Sequence, residues 1–163
     1  MPKILVAFFS PDKTAHNTTR HVAKLIAKIT KAKTYEIKPK IPYTQADMNW
    51  HNENSRSSLE MADKNFRPEL ADTNLNVEDY NIIYLGFPIW WYVAPHLINN
   101  FLESYNFAGK TIITFATSDG SDFGETLDGL IYSNPDARFI EGRVFRGTTT
   151  EEDVEEWIKT IEI

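Results

Sequence analysis

Apolar runs alternate with amphipathic stretches along this chain, and that order predicts an α/β fold built on a doubly wound, five-stranded parallel sheet covered on both faces. Two observations carry the prediction. Ile82–Leu85 is a continuous apolar run with β-branched residues, which suits a strand buried on both faces. Thr18–Thr30 and Thr150–Ile161 carry their apolar residues at helical spacing, with Val22, Ile26 and Ile29 on one stripe and Val154, Trp157, Ile158 and Ile161 on the other.

The remaining elements follow in order. Ile4–Phe9 reads as the first strand, Thr34–Lys38 as a short second one, Lys110–Ala116 as the fourth and Arg138–Phe145 as the fifth. Gly86 and Pro88 should stop the third strand after Leu85. Pro95 suits the first turn of a helix over Pro95–Tyr105. Gly124–Tyr132 reads as a further helix. Thr150 is the expected N-cap of the last one, with Glu151, Glu152 and Asp153 in its first turn. Pro39–Asn76 is polar, has no strong period, and should hold one helix near Ser57–Lys64 with Glu60 and Asp63 on its surface. A connection of that length is often functional or covers a site.

The 163 residues suit one domain spanning 1–163, long enough to bury a core. The net charge of −6 gives no basic face for nucleic acid. The absence of Cys removes disulfides, thiolate nucleophiles and cysteine metal sites, and suits a cytoplasmic location. No 18-residue apolar run is present to span a membrane, and no signal-peptide pattern precedes Ile4. The four His show no metal spacing, and His96 reads as a surface or packing residue. A phospho-acceptor receiver needs an Asp ending the third strand, and Leu85-Gly86 supplies none.

Three loops should meet at the carboxyl edge of the sheet, where open α/β sheets bind ligands. The first, Ser10–Thr19, is rich in hydroxyls and amides and leads into a helix N-terminus. Its free N–H groups and the helix dipole favour an anion such as phosphate, with Lys13 and Arg20 adding charge. An ordinary capped turn is the alternative. The second loop, Pro88-Ile89-Trp90-Trp91-Tyr92, should be irregular and suits a planar ligand; a core plug or a protein interface is its alternative. The third, Thr117–Gly124, is small and polar, so its backbone can approach a heteroaromatic edge; a surface turn is the alternative.

Taken together, Ile4–Ser10 with Asn17-Thr18, Gly86-Phe87-Pro88-Ile89-Trp90-Trp91, Phe101–Tyr105 and Gly109-Lys110-Thr111 give a chain that resembles the flavodoxin-like family of FMN-binding proteins, above all its small single-domain bacterial members. The resemblance covers nearly the whole chain and implies strand order 2-1-3-4-5 with FMN bound noncovalently. It implies that Ser10, Asn17 and Thr18 hold the phosphate. Pro88, Ile89, Trp90 and Trp91, with Tyr92 beside them, would hold one side of the isoalloxazine ring. Ser118, Asp119 and Gly120 would hold the other side. The family's phosphate loop runs Ser/Thr-x-Thr-Gly-Asn-Thr. Here six residues separate Ser10 from Asn17, Thr14 matches the inner Thr, and Ala15-His16 stands where the Gly would be, with His16 a further donor.

Three functions are compatible with this resemblance. One is an oxidoreductase passing electrons from NADH or NADPH to a quinone-like or other small acceptor. Another is an electron carrier between protein partners, although such carriers are usually more acidic. The third is a flavin-free binding protein. The enzyme reading is the preferred expectation, with Pro39–Asn76, including Trp50 and His51, as lid or wall of a substrate pocket. A homodimer is compatible with all three.

Overall fold

The structure, a computed structural model, describes residues 3–11, 19–118 and 122–162. Its strands are β1 (Ile4–Phe8), β2 (Lys33–Glu36), β3 (Ile82–Pro88), β4 (Thr111–Thr117) and β5 (Arg138–Phe145). Its helices are α1 (Thr19–Thr30), α2 (Arg56–Ala62), α3 (His96–Glu103), α4 (Thr126–Ser133) and α5 (Glu151–Thr160), with one 3-10 turn at Val77–Asp79. The five strands pair in parallel in the order β2-β1-β3-β4-β5. This is the doubly wound, flavodoxin-like sheet expected from the sequence.

Each face of the sheet buries its own apolar layer. Val22, Ala23 and Ile26 of α1 and Val154 and Trp157 of α5 pack on Val6, Phe8, Tyr84, Ile113 and Phe115. Leu97, Ile98, Phe101 and Leu102 of α3 and Leu130 of α4 pack on Leu5, Ala7, Ile83, Leu85, Phe87 and Ile112. Alternate residues of β1, β3 and β4 therefore serve opposite layers, which is why these three strands read as unbroken apolar runs.

The end of β3 differs from the sequence expectation. The strand does not stop at Gly86; it runs on to Pro88, paired with β4 as far as Thr117. Gly86 is tolerated because the Phe115 ring lies over it: a Cβ there would sit 2.0 Å from Phe115 Cζ. Pro88 is tolerated because Ile89 N–H is the one that bonds Thr117 O, at 3.0 Å, so the nitrogen of Pro88 points to the β1 side. The register pairs of β1 end at Phe8–Gly86, so no ladder bond is lost there.

The long connection also differs in part. Its helix is Arg56–Ala62, capped by Ser55, whose side chain accepts from Ser58 N. The excursion is closed at its base by an antiparallel bridge between Pro39 and Leu70, with Lys40 N donating to Glu69 O and Ala71 N to Lys38 O, both at 2.8 Å. Glu60, expected on the helix surface, is 6% exposed, because its carboxylate is bonded into a side-chain network. Asp63 is exposed, as expected.

Candidate functional site

The carboxyl ends of β1, β3 and β4 bring the three loops to one edge. Ser10, one residue past Phe9, is buried. Thr19 Oγ1 at the start of α1 hydrogen-bonds Thr117 Oγ1 at the end of β4, 2.8 Å apart and buried. That bond ties the far end of the first loop to the start of the third. Ser118 is half-buried, its N–H donating to Phe145 O at 3.2 Å. Asp122, where the third loop resumes, is ion-paired with Arg146 beyond β5. Thr14, His16, Asn17 and Thr18 of the first loop and Asp119 and Gly120 of the third lie outside the described residues.

The aromatic loop is regular where irregularity was expected. Trp90 and Val93 form an antiparallel bridge, Trp90 N bonding Val93 O at 2.9 Å and Val93 N bonding Trp90 O at 3.1 Å. Trp91 (φ 50°) and Tyr92 (φ 66°) are the two central residues, which gives a two-residue hairpin with the positive φ values of a type I′ turn. Such turns favour Asn and Gly, so two bulky aromatics there are strained. The third loop supports the turn from below. Gly124 lies so close that a Cβ would fall 2.7 Å from Tyr92 O, and Thr126 Oγ1, whose hydroxyl donates to Phe123 O, lies 3.3 Å from the same oxygen.

The turn divides the aromatics into two roles. Trp90 faces inward, edge-on to Phe9 at 5.7 Å and to Tyr43 at 5.3 Å between ring centroids. It is half-buried and packs against the core layer. Trp91 and Tyr92 are 41% and 69% exposed, two large rings presented at the sheet edge. Pro88 and Ile89, half-buried, carry the turn.

The long connection reaches this site through Tyr43. The Tyr43 hydroxyl donates to Glu60 Oε1, and Arg56 Nε donates to Glu60 Oε2 at 2.8 Å. The Arg56 guanidinium lies 3.9 Å over the Tyr43 ring centroid. Burial, then the bond to Glu60, push the Tyr43 phenol well above its ordinary range, so the hydroxyl stays a donor. By contrast Trp50 and His51 stack on each other at 3.7 Å and are exposed.

The wall that the connection does form is elsewhere. A cavity of about 610 Å³ lies between Met61–Arg67, the Val93-Ala94 end of the turn, and α4. His96 and Asn99 of α3 are buried in its wall. His96 is thus the packing residue, not the surface one, of the two readings the sequence allowed. Burial and then the charge of Arg67 lower its pKa, and its Nδ1 has no hydrogen-bond partner. Arg67 itself is held by Glu103, with bonds of 2.9 and 3.1 Å. Among the described residues no cluster of His and carboxylates could hold a metal ion, and no helix is long and apolar enough to cross a membrane. Sequence reasoning missed Tyr43 and Glu60, which lie in a segment without period, and it named Thr117 only as the opening residue of the third loop.

A parallel 2-1-3-4-5 sheet whose carboxyl edge carries the Thr19–Thr117 bond and exposed aromatics defines a flavodoxin-like protein. The family model described as flavodoxin matches residues 3–161, and the chain belongs to this flavodoxin-like, FMN-binding family. No curated protein matches the sequence. A protein of Bacteroides uniformis assigned as a flavoprotein is 43% identical, with TM-score 0.89 over 98% of this chain and 99% of that one. Another so assigned, from Bacteroides eggerthii, is 38% identical, with TM-score 0.89 over 99% and 98%. A flavoprotein of Lactobacillus acidophilus in complex with FMN shares the fold at 18% identity, TM-score 0.67, over 97% and 99%.

Proposed function

We propose that residues 1–163 act as one FMN-binding domain and that the protein is an oxidoreductase passing electrons from NADH or NADPH to a quinone-like or other small acceptor. The observation that carries this reading is the pair of exposed rings, Trp91 and Tyr92, on a braced hairpin at the carboxyl edge, beside buried Ser10 and the Thr19–Thr117 bond. A planar heteroaromatic ligand fits such a face, because exposed aromatic rings offer it a flat contact. When bound, FMN would supply the redox chemistry. Ser10, Thr14, His16, Asn17 and Thr18 would hold its phosphate at the start of α1. Pro88, Ile89, Trp91 and Tyr92 would flank the ring, with Trp90 as backing, and Ser118, Asp119 and Gly120 would bond its polar edge.

The enzyme reading draws on the cavity beside the turn, whose volume lies within the range of small-molecule pockets. It gives a second substrate a place walled by the same connection that was expected to supply a lid. A carrier needs only an exposed ring edge and a charged docking face. The test is the visible absorption spectrum of the purified protein, followed by anaerobic NADH and NADPH titration. Flavin bands that bleach on nicotinamide addition, at a rate insensitive to salt, support the enzyme. A flavin that neither nucleotide bleaches, but that a reductase protein reduces rapidly and in a salt-sensitive way, makes the protein a carrier. Absence of flavin binding leaves the flavin-free alternative.

A further inference from the structure

Three segments distant in sequence meet in one ring cluster. Phe9 follows β1 and leads into the first loop, Trp90 begins the hairpin after β3, and Tyr43 comes from the long connection. Their centroids are 5.7 Å (Phe9–Tyr43), 5.7 Å (Phe9–Trp90) and 5.3 Å (Tyr43–Trp90) apart, all tilted or edge-on. Tyr43 is the member held from outside the sheet. Its hydroxyl is bonded to buried Glu60 of α2, and Arg56 covers its face. Arg56 is itself fixed by bonds to Glu60, to Ile41 O at 2.8 Å and to Pro42 O at 3.3 Å. Arg56 and Glu60 lie on the short helix capped by Ser55, so the Tyr43 ring is tied to that helix by a hydrogen bond and a cation–ring contact.

The hairpin needs such a fixture. Two aromatics at positive φ persist only when the surroundings over-determine the backbone. Gly124 and Thr126 lie against Tyr92 O on one side, and among the described residues the ring cluster and the bridge bonds support the Trp90 side.

We propose that Tyr43 is a positioning residue for the flavin-ring loop: held by Glu60 and Arg56, its ring fixes Trp90 and thereby the presentation of Trp91 and Tyr92. This rests on the reading that the hairpin holds FMN, and it gives the long connection a bracing role in place of the lid expected of Trp50 and His51. The ring, not the hydroxyl, makes the contact with Trp90, while the hydroxyl keeps the ring in place.

The experiment compares Tyr43→Leu, Tyr43→Phe, Glu60→Gln and, as a control, Tyr35→Leu. Tyr35 is another half-buried tyrosine; it stacks on Phe101 and bonds Asp72, away from the hairpin. FMN affinity, the absorption spectrum and midpoint potential of bound FMN, and near-UV circular dichroism of the flavin-free protein are measured. Tyr43→Leu is expected to weaken FMN about tenfold, to shift the spectrum and potential, and to change the near-UV signal. Tyr43→Phe should recover most of each loss, with Glu60→Gln in between, while Tyr35→Leu leaves the flavin properties as in the natural protein. Should Tyr43→Leu fail to fold, Tyr43→Met, unbranched and equally without a ring, reads the same effect. Wild-type FMN affinity and spectrum in Tyr43→Leu, or in Tyr43→Met, overturn the proposal. If the natural protein takes up no FMN, the FMN reading itself fails; a near-UV change in Tyr43→Leu absent from Tyr35→Leu then still supports the brace, and no change overturns it.

Discussion

The start of α5 and the hairpin at Trp90–Val93 are both tight bends in the backbone, and they are built on opposite terms. At α5 the local sequence chemistry agrees with the structure. Thr150 Oγ1 accepts from Asp153 N at 3.2 Å, Asp153 Oδ2 accepts from Thr150 N at 3.0 Å, and three acidic residues face the positive end of the helix dipole. At the hairpin the local chemistry opposes the structure, with a Trp and a Tyr where Asn and Gly are favoured. A chain satisfies local rules where only folding is at stake and breaks them where another requirement acts. The difference places that requirement at the carboxyl edge of β3.

The largest expected effect tests the conforming region. Trp157 of α5 is buried against Tyr84, Phe115 and Phe145. Trp157→Ala should destabilise by about 3–5 kcal/mol in urea unfolding. FMN affinity at low temperature, where the variant is still folded, should change little, because the layer of α1 and α5 does not reach the hairpin. A large loss of FMN affinity there would erase the contrast between the two regions. Thr150→Ala removes the cap and should cost about 1 kcal/mol with no effect on the site.

The sharper test runs in the opposite direction. Tyr92→Gly relieves a left-handed backbone at an exposed position, and should stabilise the fold by up to about 1 kcal/mol while weakening FMN. Destabilisation by this change would mean that the exposed ring contributes more to folding than its conformation costs, and the hairpin would join α5 as a conforming element.

The smallest effect concerns pH. Burial and the Arg67 charge lower the pKa of His96 below its ordinary 6.5. Below that value the unfolded chain takes up a proton that the folded chain refuses, so stability is complete above pH 6.5 and declines as pH falls through the window down to the folded pKa. Unfolding midpoints should show this decline, and His96→Phe should flatten it. An unchanged slope would assign the acid sensitivity to other groups, among them Glu103. Its carboxyl is raised by burial but held below its ordinary range on balance by Arg67 and Ser133.

The contrast also explains what the sequence could reveal. The strands and α1, α3 and α5 were legible because apolar periodicity and caps act within a few residues, and the strand order followed from the family resemblance. The extension of β3 to Pro88 was not, since it depends on Phe115 covering Gly86 and on the β1 pairing ending two residues before the β4 pairing. The aromatic loop was legible as a site, but its hairpin form was hidden by residues that argue against it. Nor did the sequence separate inward Trp90 from outward Trp91, because the direction of each ring is set by Phe9 and Tyr43. Tyr43 and Glu60 were illegible for the same reason: their partners are 17 residues apart in a polar, aperiodic stretch.

The central claim is that the carboxyl edge of β3 presents rings to FMN, and titration of FMN against tryptophan fluorescence tests it most directly. In the natural protein FMN should bind in preference to riboflavin and quench the emission strongly. Trp91→Ala should weaken binding several-fold, the ratio expected of a ring contact worth about 0.5–1.5 kcal/mol. FMN affinity unchanged in Trp91→Ala and in Trp90→Ala alike would contradict the account, and would leave the hairpin aromatics to the core or to an interface.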